Sequence, residues 1–283
     1  MKKLLVLSGK GGTGKTTIAS SFIKLAKSKN FADCDVEAPN LHLLYKQGNK
    51  HSKAYYGLKK AYINNDKCLN CGICQDYCRF NAIDYKAGNY QINNYKCEGC
   101  GVCGYICPND AIDYIDSISG SIDLFKNDYL FSTGSLKMGS GNSGLLVTEV
   151  KRQLDNNYKK LTIIDGPPGI GCPVIASISG VDFVLVVTEP SYSGFNDLKR
   201  ILETIKNFKI NFGVCINKFD INLAIANKIK AYLKFNNYNY LGSISYSNKV
   251  DQIINEGKLI IDSNNIVGEE IKNIYNNTIK LIY

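Results

Sequence analysis

The sequence predicts an α/β fold: a mostly parallel sheet flanked by helices, interrupted by a small α+β insert. Three observations predict it. An apolar strand at the amino terminus runs into a glycine-rich loop and then an apolar-periodic helix. A second apolar strand, far along the chain, ends at Asp165. Between them a four-cysteine pattern occurs twice.

The first strand is Lys3-Leu4-Leu5-Val6-Leu7, and the helix behind the loop carries Ile18, Phe22, Ile23 and Leu25. The loop reads Gly9-x4-Gly14-Lys15-Thr16, a P-loop in the strand–loop–helix context it needs. Backbone N–H groups of Gly11, Gly12, Thr13 and Gly14, and the start of the helix at Thr17, can close around phosphates. Lys15 reaches the β and γ oxygens and Thr16 supplies a magnesium ligand, so ATP and Mg2+ are the expected ligands. A plain glycine turn ahead of a helix is the rival. With its early second lysine, Lys10, the loop resembles the deviant P-loop of the MinD and nitrogenase iron protein superfamily. The resemblance implies a homodimer that sandwiches ATP, Lys10 of one subunit reaching phosphates bound by the other. A solvated loop lysine is the alternative.

Next comes Asp33-Cys34-Asp35-Val36-Glu37-Ala38-Pro39-Asn40, which looks like that family's first switch. There Asp35 would orient or activate the attacking water, and Asp33 would sit near magnesium. Only residues 28–32 separate the helix from Asp33, so strand two is expected to be short or the helix to end early.

The cysteine block reads Cys68-x2-Cys71-x2-Cys74-x3-Cys78 and, 29 residues on, Cys97-x2-Cys100-x2-Cys103-x3-Cys107. An Ala-Ile-Asp-Tyr tail recurs at the same offset. Three thiolates spaced by two residues can wrap one [4Fe–4S] cube while the fourth cysteine ligates the other cube. The expected sets are Cys68, Cys71, Cys74 with Cys107, and Cys97, Cys100, Cys103 with Cys78. Zinc sites take two C-x2-C pairs across a longer loop, and a disulfide scaffold suits an oxidising compartment. The block resembles bacterial-type two-cluster ferredoxins over about Tyr62–Asp116. Arg79 stands where a proline follows the fourth cysteine, as Pro108 does in the second copy.

Beyond the block, Leu161-Thr162-Ile163-Ile164-Asp165-Gly166-Pro167-Pro168-Gly169 matches a Walker B strand and second switch. Asp165 would join the magnesium shell, and the Gly166 N–H could sense the γ-phosphate. Further strands are expected at 182–190 and 210–218, and Asn217 resembles the family's adenine-contacting asparagine. Helices are expected over 195–207, 223–235 and 266–282. The last lacks a concentrated basic face, so it is read as packing on the sheet. Residues 134–144 read as a flexible glycine-serine stretch near the nucleotide. Of the leftover cysteines, Cys215 reads as core and Cys34 as facing away from its flanking aspartates; Cys172 reads as a buried structural thiol, with a redox thiol at a helix start or a ligand for a cluster shared across a dimer as the alternative. The nucleotide domain is therefore expected to be discontinuous, 1–61 and 117–283, around an insert at 62–116.

Composition narrows the function classes. The chain has 283 residues, 45% of them hydrophobic and 21% charged, enough to bury a core. Its net charge of +9 comes from scattered lysines, so no nucleic-acid partner is expected. No apolar run reaches the ~20 residues that span a bilayer, and the opening apolar stretch is too short for a signal peptide. No stable membrane insertion and a cytoplasmic location are expected. Eleven cysteines against two histidines point to metal or redox work. Over nearly its full length the chain resembles MinD-superfamily P-loop ATPases containing an inserted ferredoxin domain, relatives of iron–sulfur carrier ATPases. That implies an ATPase whose nucleotide state is coupled to electron transfer to a redox partner. Delivery of clusters to an apo-protein, or a nucleotide-dependent scaffold with structural clusters, are the alternatives.

Overall fold

The computed structural model describes residues 2–45, 48–158 and 160–283. Strand β1 (Lys2–Ser8) leads through the glycine loop to helix α1 (Lys15–Leu25) and strand β2 (Asn30–Asp33). Then come β3 (Asn49–Tyr56), β4 (Lys60–Ile63), α2 (Ile73–Asp76), β5 (Ile83–Lys86), β6 (Asn89–Ile92), α3 (Val102–Tyr105) and β7 (Ile112–Ile115). The chain returns through β8 (Ile118–Lys126), β9 (Leu130–Leu136), α4 (Ser143–Arg152), β10 (Leu161–Pro168) and α5 (Cys172–Ile178). It closes with β11 (Phe183–Thr188), α6 (Tyr192–Asn207), β12 (Asn211–Asn217), α7 (Leu223–Phe235), β13 (Asn239–Ile244), α8 (Lys249–Asn255) and α9 (Ile266–Ile282).

Among the described residues nine strands form one sheet, in the order β13-β12-β11-β1-β10-β2-β9-β8-β3. The strands from β13 to β9 run parallel; β8 and β3 add antiparallel at one edge. β1 lies centrally because Leu4 to Leu7 are all fully buried, alternating between two cores. Leu4 and Val6 face α1 and α9, against Ile18, Phe22, Ile271 and Ile274. Leu5 and Leu7 face the opposite helical layer, against Val147, Val174, Leu198 and Ile229. This is the expected P-loop α/β arrangement, helices on both faces of a mostly parallel sheet. Helix α1 ends at Leu25 and β2 holds four residues, which absorbs the short connection before Asp33.

Outside the insert, among the described residues, four strands, β3, β8, β9 and β13, have no counterpart in the sequence reading. β3 buries one residue of eight, Tyr55, so no alternation marks it. The expected flexible stretch at 134–144 is corrected in part: Gly134 lies buried inside β9, packed against Val150 and Leu146. β3 pairs with β8, and β4 resumes the ribbon with β7, from Lys60↔Ile115 to Ile63↔Ile112. The cysteine-rich segment thus hangs from a two-stranded ribbon. Two successive antiparallel pairings make β3 run in the direction of β9, so its carboxyl end lies on the same side of the sheet as that of β1, where the P-loop begins, but at the edge strand and not at the centre.

The remaining cysteines separate clearly. Cys34 packs in the core opposite to α1, and Cys215 in the core of α1 and α9. Cys172, expected to be buried, is exposed. Helix α5 turns Val174, Ser177 and Ile178 inward, and Cys172 lies off that stripe. Helix α9 packs on β13 through its apolar face, as read. Among the described residues no helix is long and apolar enough to cross a membrane.

Candidate functional site

The P-loop begins as β1 ends and places Lys15 at the first turn of α1. Gly14 sits in the left-handed region (φ 84°), and a Cβ there would lie 2.3 Å from the Asn217 amide nitrogen. Asn217 uses that amide to donate to the Thr13 carbonyl (2.8 Å), which ties the end of β12 to the loop backbone. Lys15 is buried and donates to Asp165 Oδ1 at 2.7 Å. Burial alone would lower its pKa, but Asp165, Asp33 and Asp35 outweigh that and hold the ammonium above its ordinary range.

Asp165, Asp33 and Thr133 occupy one register row across β10, β2 and β9. Asp33 accepts the backbone N–H groups of Asp35 (3.0 Å), Asn40 (3.0 Å) and Leu41 (2.9 Å). It therefore organises the loop after β2, and its carboxylate, like that of Asp165, is fully buried and does not line the cavity. Burial and the Asp165 charge push its pKa up to about 7, against Lys15 and the backbone donors. Asp35 does line the cavity, half-buried, and burial raises its pKa despite Lys15. Asp165 Oδ2 and Thr13 Oγ1 are buried with no hydrogen-bond partner. The orphaned Asp165 oxygen, beside the Lys15 ammonium, has the hard-oxygen chemistry that suits a divalent cation.

The cavity in front of these residues measures about 490 Å³, a size suited to a nucleotide. Gly11, Gly12, Thr13, Gly14, Lys15, Thr16, Thr17, Asp35 and Asn217 line it. So do Ser245, Tyr246, Ser247, Asp251 and Ile254, on the β13–α8 segment that sequence reasoning missed. Gly166 lies within β10, which continues to Pro168 beyond the expected end at Asp165, and packs against Leu7. Lys10 folds onto its own chain: its Nζ lies 2.5 Å from Glu189 and 3.3 Å from the hydroxyls of Ser191 and Ser193. Glu189 carried no signal in the sequence beyond ending a strand.

The two cysteine copies superpose in backbone conformation as well as in spacing. Left-handed residues recur at the 29-residue offset: Asn70 and Gly99, Gly72 and Gly101, Asn81 and Asp110. Ala82 N–H donates to Cys78 Sγ (3.4 Å) and Ala111 N–H to Cys107 Sγ (3.3 Å). Cys78, Cys97, Cys100 and Cys103 line one cavity, with Ala61, Phe80 and Ile92. Cys68, Cys71, Cys74 and Cys107 line the other, with Ile63, Leu69 and Tyr90. Among the described residues no three cysteine, histidine or acidic side chains converge on a point that a single metal ion would occupy. Four thiols thus line each cavity, of about 20 Å³, and one backbone N–H in each copy is directed at a sulfur. The copies differ in detail. Lys60, buried, donates to the Cys97 carbonyl, and its offset counterpart Asn89 is neutral.

A family model described as the CobQ/CobB/MinD/ParA nucleotide binding domain matches residues 4–260. The uncharacterized protein MJ0578 of Methanocaldococcus jannaschii is 37% identical over 282 residues, covering 96% of this chain and 95% of its own. The uncharacterized protein MJ0579 of the same organism is 29% identical, over 78% of this chain and 82% of its own. Among solved structures, the septum site-determining protein MinD of Pyrococcus horikoshii, complexed with Mg-ADP, aligns with TM-score 0.60 at 15% identity. That alignment covers 99% of this chain and 96% of the other. The cell division ATPase MinD of Pyrococcus furiosus aligns with TM-score 0.58 at 14% identity, over 99% of each chain. At such identities the likeness is one of fold.

Proposed function

The chain belongs to the CobQ/CobB/MinD/ParA nucleotide-binding family and is a P-loop ATPase of the MinD/ParA type, and from that premise we propose that it couples its nucleotide state to electron transfer through two [4Fe–4S] clusters. The observation that carries this reading is the sorting of eight cysteines into two four-thiol cavities, in the crossed pairing that two-cluster coordination requires. The module bearing them, roughly residues 62–116, leaves the sheet after the edge strand β3, on the side of the sheet where β1 delivers the P-loop. Cys68, Cys71, Cys74 and Cys107 would hold one cluster; Cys97, Cys100, Cys103 and Cys78 would hold the other. Bound clusters supply one-electron transfer to and from a redox protein partner.

Hydrolysis is assigned to the chain's own residues. Lys15 exchanges Asp165 for the β and γ oxygens of ATP, while N–H groups of residues 11–14 and the α1 start at Thr17 cradle the phosphates. Thr16 and the unpaired Asp165 oxygen are the residues that would hold Mg2+, which neutralises charge on the phosphates. Asp35, its pKa raised by burial, takes the proton of the attacking water. Asp33 keeps Asp35 in place through the loop N–H groups, and Gly166 presents its N–H to the γ-phosphate. Asn217 borders the base. Lys10, released from Glu189, reaches phosphates bound by a second copy, so ATP closes a homodimer and hydrolysis opens it.

The test uses full-length protein purified without oxygen and reduced with dithionite. Electron delivery to an oxidised low-potential dye should be faster with ATP than with ADP. Equal rates with the two nucleotides count against gating. Quantitative movement of iron to an apo-ferredoxin under ATP would replace electron transfer by cluster delivery. A colourless or zinc-loaded preparation removes the clusters from the account altogether.

A further inference from the structure

We propose that Lys60 determines where the electron rests: its buried ammonium raises the reduction potential of the cluster held by Cys78, Cys97, Cys100 and Cys103 above that of the other. The proposal rests on the cluster reading above. Lys60 opens β4 and is 5% exposed, a rare condition for lysine. Among the described residues its hydrogen-bond acceptor is the Cys97 carbonyl, and it joins no carboxylate. A buried ammonium with one neutral acceptor is costly, because two of its three protons and its whole charge go uncompensated. An anion in the adjoining cavity removes that cost. Ala61, next in sequence, lines that cavity with Cys97 and Cys100. A cubane bearing four thiolates is negatively charged and becomes more so on reduction, so a fixed cation beside it favours the reduced form.

The other cluster has no equivalent. At the 29-residue offset Asn89 opens β6, neutral and half-exposed. The second cationic difference points the same way: Arg79 follows Cys78 where Pro108 follows Cys107, although Arg79 is exposed and its charge is screened. Glu98 is the opposing charge. It lies between Cys97 and Gly99, and its carboxylate abuts Gly141 in the β9–α4 loop. That contact sets the Cys97–Cys103 loop against the nucleotide-binding part of the chain. Glu98, on the loop of the cluster favoured by Lys60, thus touches that part of the chain directly.

Redox titration of the full-length, anaerobically isolated protein, followed by electron paramagnetic resonance, tests this. The unaltered protein should show two separate one-electron couples. Lys60→Gln and Lys60→Met should lower the higher couple and leave the lower one in place; Lys60→Arg should preserve both. Glu98→Gln, which removes the opposing charge, should raise the higher couple. Coincident couples in the unaltered protein, movement of the lower couple, or equal movement of both would overturn the proposal. If the Gln and Met variants lose iron, an unmoved higher couple in Glu98→Gln overturns it instead. Absence of iron and sulfide from the unaltered protein is a different result, and it refutes the cluster reading itself.

Discussion

Lys15 is the cation at the centre of a buried group of acids, so its removal should be felt twice. Lys15→Met leaves Asp165, Asp33 and Asp35 without their shared counter-charge. Loss of one member of a buried ion pair costs about 3–5 kcal/mol. Urea unfolding should report that loss, and phosphate release should stop. Asp33 makes a pH prediction with a definite sign. Its folded pKa of about 7 lies above the ordinary carboxylate value of 3.8. The stability linked to it is fully present below the unfolded value and is lost as pH rises through 7. Nucleotide-free protein should therefore melt at a lower temperature at pH 8.5 than at pH 5.5, and Asp33→Asn should flatten that slope. A calorimetric pH series in which both proteins keep the same slope would refute it. Lys15, Thr16 and Asp165 could be read from motif spacing. The attachment of Lys10 to Glu189 could not, because the partners are 179 positions apart and meet only when β11 lies beside β1.

Strand β10 shows how closely the elements around the site pack. A Cβ on Gly166 would approach Leu7 Cδ2 to 2.4 Å and the Val6 carbonyl to 2.9 Å. Gly166→Ala should cost about 1–3 kcal/mol by overpacking and displace the second switch, seen as a lower urea midpoint and slower phosphate release. Unchanged values for both would show that β1 and β10 can separate freely. The strands β1, β10, β11 and β12 were legible because buried parallel strands read as continuous apolar runs. β3 and β8 were not. They form an edge ribbon in which β3 has one wet face after another, and its register is dictated by pairing, not by its own hydrophobic pattern. The Ser245–Asp251 wall of the cavity escaped for a related reason. It is a loop and a short helix whose role depends on lying above the P-loop.

At the scale of the whole molecule, the ribbon hangs the two cysteine-lined cavities from the edge strand of the sheet whose central strand delivers the P-loop. If Lys10 completes a second copy's phosphate site, a slow-hydrolysing variant should reveal it. Asp35→Asn with ATP should sediment as a dimer, and with ADP as a monomer; adding Lys10→Ala should abolish the dimer. A monomer in ATP under all conditions would refute the shared site. Each chain should carry about eight irons, and Cys97→Ser, touching one cavity only, should leave about four. Iron loss to zero would mean that the two cavities form as a unit.

The P-loop, the acidic strand end and both cysteine copies came from the amino acids alone, because each is a short-range pattern whose chemistry depends on local spacing. Assembly in three dimensions decided the rest. It buried Lys60 beside Cys97, tied Lys10 to Glu189, and turned Asp33 into the loop after its strand. Those outcomes depend on which strands become neighbours, and strand neighbours are chosen by the burial of the whole sheet.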